Sequence, residues 1–138
     1  MAEPVKPDKP LSESRLALVT TGGVHLPHGR QFDIDDPAGD CSYREVPADA
    51  AELTWTHAYY ADRRTLGSPG RREDLDCVLP LWTLRGLAEE GFVGESSRRH
   101  FSFMGAIHDT TDLEEHTAPE VAELLLEDRV DAVLLTPS

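Results

Sequence analysis

The chain has 138 residues, 39% of them hydrophobic and 28% charged, which suits one domain with a modest core and excludes a disordered chain. Its 26 acids against 13 Lys and Arg give a net charge of −13, a surface that repels phosphate backbones and argues against nucleic-acid binding. No apolar run approaches the roughly 20 residues of a membrane helix, and the proline-rich start MAEPVKPDKPLSES has no apolar leader, so a cytoplasmic protein without membrane contact is expected.

Residues 1–14 carry Pro4, Pro7 and Pro10 and no apolar period, which predicts a mobile tail ahead of a single domain over 15–138. Arg15-Leu-Ala-Leu-Val-Thr-Thr21 is a short apolar run closed by Gly22-Gly23, as for a buried strand leaving a sheet through a tight turn. From Pro27 to Pro47 turn formers are dense and no helical period exists, so a long loop is expected, of the kind that often carries function. Glu52–Tyr60 alternates and is rich in aromatic and β-branched residues, which predicts a second strand, followed by a polar loop over 62–76. Pro80–Glu90 places Leu81, Leu84, Leu87 and Ala88 on one face and meets Gly91, as an amphipathic helix with a natural stop does. His100–Met104 predicts a third strand with Phe101 and Phe103 on its core side.

Thr117-Ala-Pro-Glu120 has the spacing of a capping box, in which Thr117 and Glu120 each satisfy an exposed amide. The helix it opens carries Val121, Leu124, Leu125 and Asp128 at helical spacing, and Val130–Pro137 follows as a strand buried on both faces. Strands alternating with helices predict an α/β fold, a largely parallel sheet with flanking helices, as an incomplete Rossmann-like or flavodoxin-like half. A strand buried on both faces normally hands over to a loop and a covering helix. The sheet is therefore expected to lack a layer that a partner, a second copy or a continuation supplies.

Ligands of α/β proteins bind at the carboxyl edge of the sheet, which singles out Thr20, Thr21, Gly22, Gly23 and His25 after the first strand. The glycines let a backbone approach a ligand, and His25 is a candidate hydrogen-bond donor or proton carrier; the bland alternative is a tight turn beside a surface histidine. His57 and His100 sit on strands and are candidates for the same edge, against the commoner role of a packed histidine. The acids Asp33, Asp35, Asp36 and Asp40 fail the spacing of a calcium loop and suit a solvated loop instead. Cys41 and Cys77 show no CxxC and no Cys/His metal spacing, which predicts no metal, and the apolar residues after Cys77 predict an inert packed thiol.

An ordered set of segments covers nearly everything after the tail. It runs Leu16-Ala-Leu-Val-Thr-Thr-Gly-Gly-Val-His-Leu26, Phe32-Asp33, Gly39-Asp-Cys-Ser-Tyr-Arg44, Thr56-His57, Asp76-Cys-Val-Leu-Pro80 with Leu84, Arg99-His-Phe-Ser-Phe-Met-Gly105, Thr117-Ala-Pro-Glu120 and Val130-Asp-Ala-Val-Leu-Leu-Thr-Pro137. Together these resemble the selenoprotein B-type subunits of glycine, sarcosine, betaine and D-proline reductases.

The resemblance implies reductive cleavage of a C–N bond in a small amino-acid-like substrate, held by a pyruvoyl group on a partner subunit; no cofactor is expected in this chain. It also implies a selenocysteine or cysteine within a residue or two of the Thr136-Pro137 pair, so the catalytic residue is expected just after Ser138, with none in the chain itself. The chain is thus expected to be a reductase subunit that ends before its reactive residue. The alternative is a non-catalytic binding or scaffold subunit of the same fold, and an enzyme using Cys41 or Cys77 ranks below both.

Overall fold

The computed structural model describes residues 5–56 and 75–137. His57 with the remaining end of the predicted second strand, residues 57–60, and most of the 62–76 loop lie outside the described residues.

The sheet is built around β1 (Arg15–Thr20), the apolar run read from the sequence. On one side β1 pairs in parallel with β7 (Ala132–Thr136) over five residues, Leu16 opposite Ala132 through Thr20 opposite Thr136. On its other side run β5 (Glu95–Ser96) and β6 (Arg99–Phe103), also parallel, and beyond β6 lies β3 (Tyr43–Pro47), antiparallel. A separate two-stranded antiparallel pair joins β2 (Val24–His25) to β4 (Thr54–Trp55). Strand side chains alternate between the two faces, so each face of the sheet gathers its own core. Leu18 and Val46 join Val24, Leu79 and the helix α1 (Leu81–Glu89) through Leu81 and Leu84. Val19, Phe101 and Phe103 pack instead on Val121, Leu124 and Leu125 of the helix α2 (Ala118–Glu127).

β5 and β6 are one strand interrupted by a bulge. Between the pairs Leu16–Ser96 and Val19–Phe101, β1 spends two residues where its partner spends four. The ladder fails there, and an unpaired buried amide is costly. His100 repairs it: fully buried, its Nδ1 accepts the Leu18 N–H at 2.9 Å. With Nδ1 an acceptor, the ring proton sits on Nε2 and is donated to Ser96 Oγ at 3.0 Å, whose hydroxyl in turn reaches the Ser97 carbonyl at 3.1 Å. Burial, reinforced by the charge of Arg85, pushes the ring pKa down from 6.5 to about 4.

The helices show why they start and stop where they do. Pro80 precedes α1, and Asp76 takes the role of cap, accepting the amides of Trp82 at 3.0 Å and Thr83 at 3.2 Å. Arg85 reaches across from α1 to the carbonyls of Ala48 and Ala50. α1 ends on Gly91, at φ +80°, with Gly91 N–H bonded to Ala88 and Phe92 N–H to Leu87. α2 ends in the same pattern, Arg129 N–H to Leu126 and Val130 N–H to Leu125, but with Arg129 held at φ +55° where α1 has glycine.

The last residue of that helical end, Asp128, is buried, and its carboxylate takes Arg98 Nε at 2.7 Å and Arg99 Nε at 2.6 Å. Burial alone pushes this carboxyl up; hydrogen bonds from Arg99 and Arg98 outweigh it and hold the group below its usual value. Arg15 adds a hydrogen bond to the Asp128 carbonyl. β1, β6, α2 and the bulge between β5 and β6 thus meet at one carboxyl-bearing residue.

The α/β class, the parallel strands and both helices agree with the sequence. Three details do not. The expected loop over 27–47 contains β3, whose short Tyr-Arg-Glu-Val alternation offers only two apolar side chains and depends on the β6 ladder for its form. The capping box at Thr117 does not form, because the helix is already under way in a π-helical turn, Leu113–Thr117, and Thr117 donates its hydroxyl to Cys41 O at 2.8 Å. The strand at 132–136 lies in parallel as expected but is not buried: Val133, Leu134 and Leu135 are all exposed, since β7 is an edge.

His100 sets a sign for pH dependence. Unfolded, the ring titrates near 6.5; folded, near 4, so between these values only the unfolded chain binds the proton. Stability held above the unfolded value is lost as pH falls toward the folded one, by up to about 1.4 kcal/mol per pH unit. His100→Asn retains an acceptor for Leu18 without titrating. Between about pH 7 and about pH 5, urea unfolding should show the wild type losing about 2 kcal/mol relative to this variant; equal losses would show that the ring is not responsible. At the helix ends, Arg129→Gly should raise stability by about 1 kcal/mol and Gly91→Ala should lower it by a similar amount. Calorimetric melting of the two variants checks both signs.

Candidate functional site

β1, β6 and β7 all run in parallel and bring their carboxyl ends to one edge of the sheet. There Thr20 and Thr136, opposite each other in the ladder, converge on a single acceptor. Thr20 Oγ1 lies 2.9 Å and Thr136 Oγ1 2.6 Å from the carbonyl of Val78, in the segment leading to α1. Thr20 Oγ1 also accepts the Gly22 N–H at 3.1 Å, and the Thr21 N–H donates to the Thr136 carbonyl at 3.2 Å. The edge is a set of neutral hydrogen bonds tying two strand ends to the loop before α1.

The glycine pair is required by this chain's own packing. A Cβ on Gly22 would stand 1.9 Å from a methyl of Val78. Gly23 is at φ +65°, and a Cβ there would stand 2.0 Å from the Thr56 carbonyl. The close approach is needed because Gly23 bonds on both sides, its N–H to Phe103 O and its carbonyl to Thr56 N–H, each at 2.9 Å. His25 is likewise buried, with Nδ1 donating to Leu26 O at 2.8 Å and Nε2 accepting from Thr56 Oγ1 at 2.9 Å.

Of the residues singled out in the sequence, the structure brings Thr20, Thr21, Gly22 and Gly23 together at the carboxyl edge. His25 follows them on β2, directed into its own strand pair, and His100 sits inside the sheet at the bulge. Sequence reasoning missed Thr136 and Val78 as parts of the edge; the signal available was that both apolar runs close on threonine. Past β6 the edge continues through Gly105 to Ala106, which is held at φ +58°.

A second concave feature, a cavity of about 500 Å³, lies between the 30–42 loop and the 109–116 segment. Its acids are already engaged: Asp33 accepts the Asp35 amide, Asp36 the Ala38 amide, Asp109 the Thr111 amide and hydroxyl. For Asp40, burial raises the pKa, but hydrogen bonds from Ser42 and the Asp33 amide, with the charge of Arg44, hold it below its usual value. Among the described residues no group of three or more His, Cys, Asp or Glu is placed to hold a metal ion. Cys41, which lines this cavity, is buried, and burial pushes its thiol pKa up, away from nucleophilic character. Cys77 is exposed, in place of the packed thiol that its apolar neighbours suggested, because the chain turns there and buries Leu75 and Leu79 on either side. No helix among the described residues is long and apolar enough to cross a membrane.

The chain is 36% identical over 130 residues to D-proline reductase subunit gamma of Acetoanaerobium sticklandii, a match spanning 93% of this chain and 50% of that protein. It is 30% identical to the glycine reductase complex component B subunit gamma of Peptoclostridium acidaminophilum, spanning 97% of this chain and 30% of the relative. The corresponding subunit of Symbiobacterium thermophilum is 29% identical, with 96% and 30% spanned. The chain therefore spans half the length of the first relative and under a third of the other two. No solved structure matches it. The profile of the glycine/sarcosine/betaine reductase selenoprotein B family matches residues 1–138, the whole of the sequence, and the chain belongs to that family.

Proposed function

We propose that the chain is part of a cytoplasmic reductase that cleaves a C–N bond in a small amino acid or its N-methylated form, with the carboxyl edge at Thr21–Gly23 and Thr136 as one wall of the substrate site. One observation carries this reading: in a chain of this family, the carboxyl ends of two adjacent parallel strands are locked together, where α/β folds bind ligands. The relatives are named as subunits of reductases, and a partner subunit belongs to the proposal for this chain on the same ground. The pyruvoyl group is then the partner's contribution. The reactive selenocysteine or cysteine, expected just after Ser138, then belongs beside the carboxyl end of β7, with the selenolate or thiolate as the nucleophile. Cys41 does not take that part, being buried with its thiol pushed up.

A second reading, a non-catalytic scaffold subunit of the same fold, draws on a specific observation: the polar atoms of Thr20, His25 and His100 are all engaged by groups of this chain.

One measurement separates these readings, and a second tests both against a stand-alone enzyme. Titrating glycine, sarcosine, betaine and D-proline into the isotope-labelled protein should shift the amide resonances of Thr21, Gly22, Gly23 and Ala106. Shifts confined to the 30–42 loop, or none at all, would sink the edge as a substrate wall and leave the scaffold reading. The isolated chain should show no turnover of these compounds in a dithiol-dependent assay; turnover abolished by Cys77→Ser would instead assign the chemistry to this chain alone.

A further inference from the structure

The sheet has two edges, and they are built differently. Along β3, Arg44 donates from its guanidinium to the carbonyls of Arg30 and Gln31 and lies 4.2 Å over the ring of Phe32, so the preceding loop is drawn against the strand. That strand also carries Glu45 and ends on Pro47, both features that discourage further pairing. β7 has none of this protection. Its sequence is Ala-Val-Leu-Leu-Thr, without charge, proline or bulge, and its register on β1 is regular through all five residues.

Side chains on both faces of β7 are open. Partners in a parallel ladder share a face, so Val133 and Leu135 project on the α2 side with Ala17 and Val19, and Leu134 on the α1 side with Leu18. Their exposures are 39%, 68% and 44%. A parallel strand is ordinarily covered on both faces, and a long, flat, uncharged edge is a template for pairing. Among the described residues, β7 pairs with β1 alone.

Charge and family length choose between occupants. A second copy of this chain brings another net charge of −13 to the interface. The relatives, by contrast, carry at least as much polypeptide again as the region matched here. We propose that the free edge of β7 is a strand-addition site that takes one further apolar strand, in parallel, from polypeptide corresponding to the part of the family's length that these 138 residues do not match. The proposal rests on the family assignment but not on the reductase reading, and its test reads binding rather than turnover, so the two fail separately.

The test uses the 138-residue protein coexpressed with the unmatched region of D-proline reductase subunit gamma from Acetoanaerobium sticklandii. The expected result is a one-to-one complex by light scattering, with the β7 amides that face away from β1 exchanging at least tenfold more slowly than in the protein alone. Leu135→Lys, at the most exposed β7 position, should abolish the complex while leaving the circular dichroism of the protein unchanged. A soluble fragment that does not bind, or a complex indifferent to Leu135→Lys, overturns the proposal. Hydrogen exchange on the protein alone tests the edge without the fragment. Rapid exchange of the outward β7 amides supports an open edge. Outward amides already protected in a monomer, or in a dimer of this chain, overturn it.

Discussion

The carboxylate of Asp128 is the point on which the arrangement of helix and sheet depends. It stands at the negative end of α2, where the helix dipole disfavours an acid and the last turn supplies no basic residue of its own. The compensation comes from the sheet, from Arg98 and Arg99 at the bulge and Arg15 at the start of β1. Arg99 is half-buried and also reaches Glu45 at 3.1 Å and Glu127 at 3.5 Å, so loss of the Asp128 carboxylate removes its shortest contact while leaving the cation paired at the rim. The same contact sets α2 over Phe101 and Phe103, and it fixes the turn from which β7 enters the sheet beside β1.

The bulge explains how the two faces coexist. Two extra residues between β5 and β6 present Arg98 and Arg99 to Asp128 and send His100 inward to replace the lost ladder acceptor. A histidine serves where a carboxylate would not, because a neutral ring accepts at one nitrogen and donates at the other without carrying a charge into the core. The role of His100 is therefore to complete β1, and through β1 the edge that Thr20 closes.

Much of the architecture was legible in the residues. The two apolar runs ending in Thr20-Thr21 and Thr136-Pro137 pointed to strands of a largely parallel sheet, and Gly91 marked the end of α1. What escaped the sequence was what only tertiary contact decides. Arg129 occupies a left-handed position that sequence patterns assign to glycine, because the turn into β7 holds it there. Thr117 has capping-box spacing, yet its hydroxyl serves the Cys41 carbonyl, since the helix had already begun. The candidate edge was legible as far as Thr20–Gly23, from their place after a strand. Val78 was not, because an accepting carbonyl leaves no trace in residue type. Nor was the demand for Gly22 and Gly23 by Val78 and Thr56, neighbours distant in the chain.

The Val78 carbonyl has a consequence for the conditions under which the edge keeps its shape. This is a strongly acidic protein, and its surface charges titrate with pH and are screened by salt. The junction of β1, β7 and the loop before α1 is made only of hydroxyls, amides and carbonyls, none of which titrates in water. Its geometry is thus insulated from the ionic environment, while the Asp128 cluster at the opposite end of the same strands is exposed to it. Acid should loosen the molecule from its amino-terminal edge inward, with the carboxyl edge the last part to lose its form.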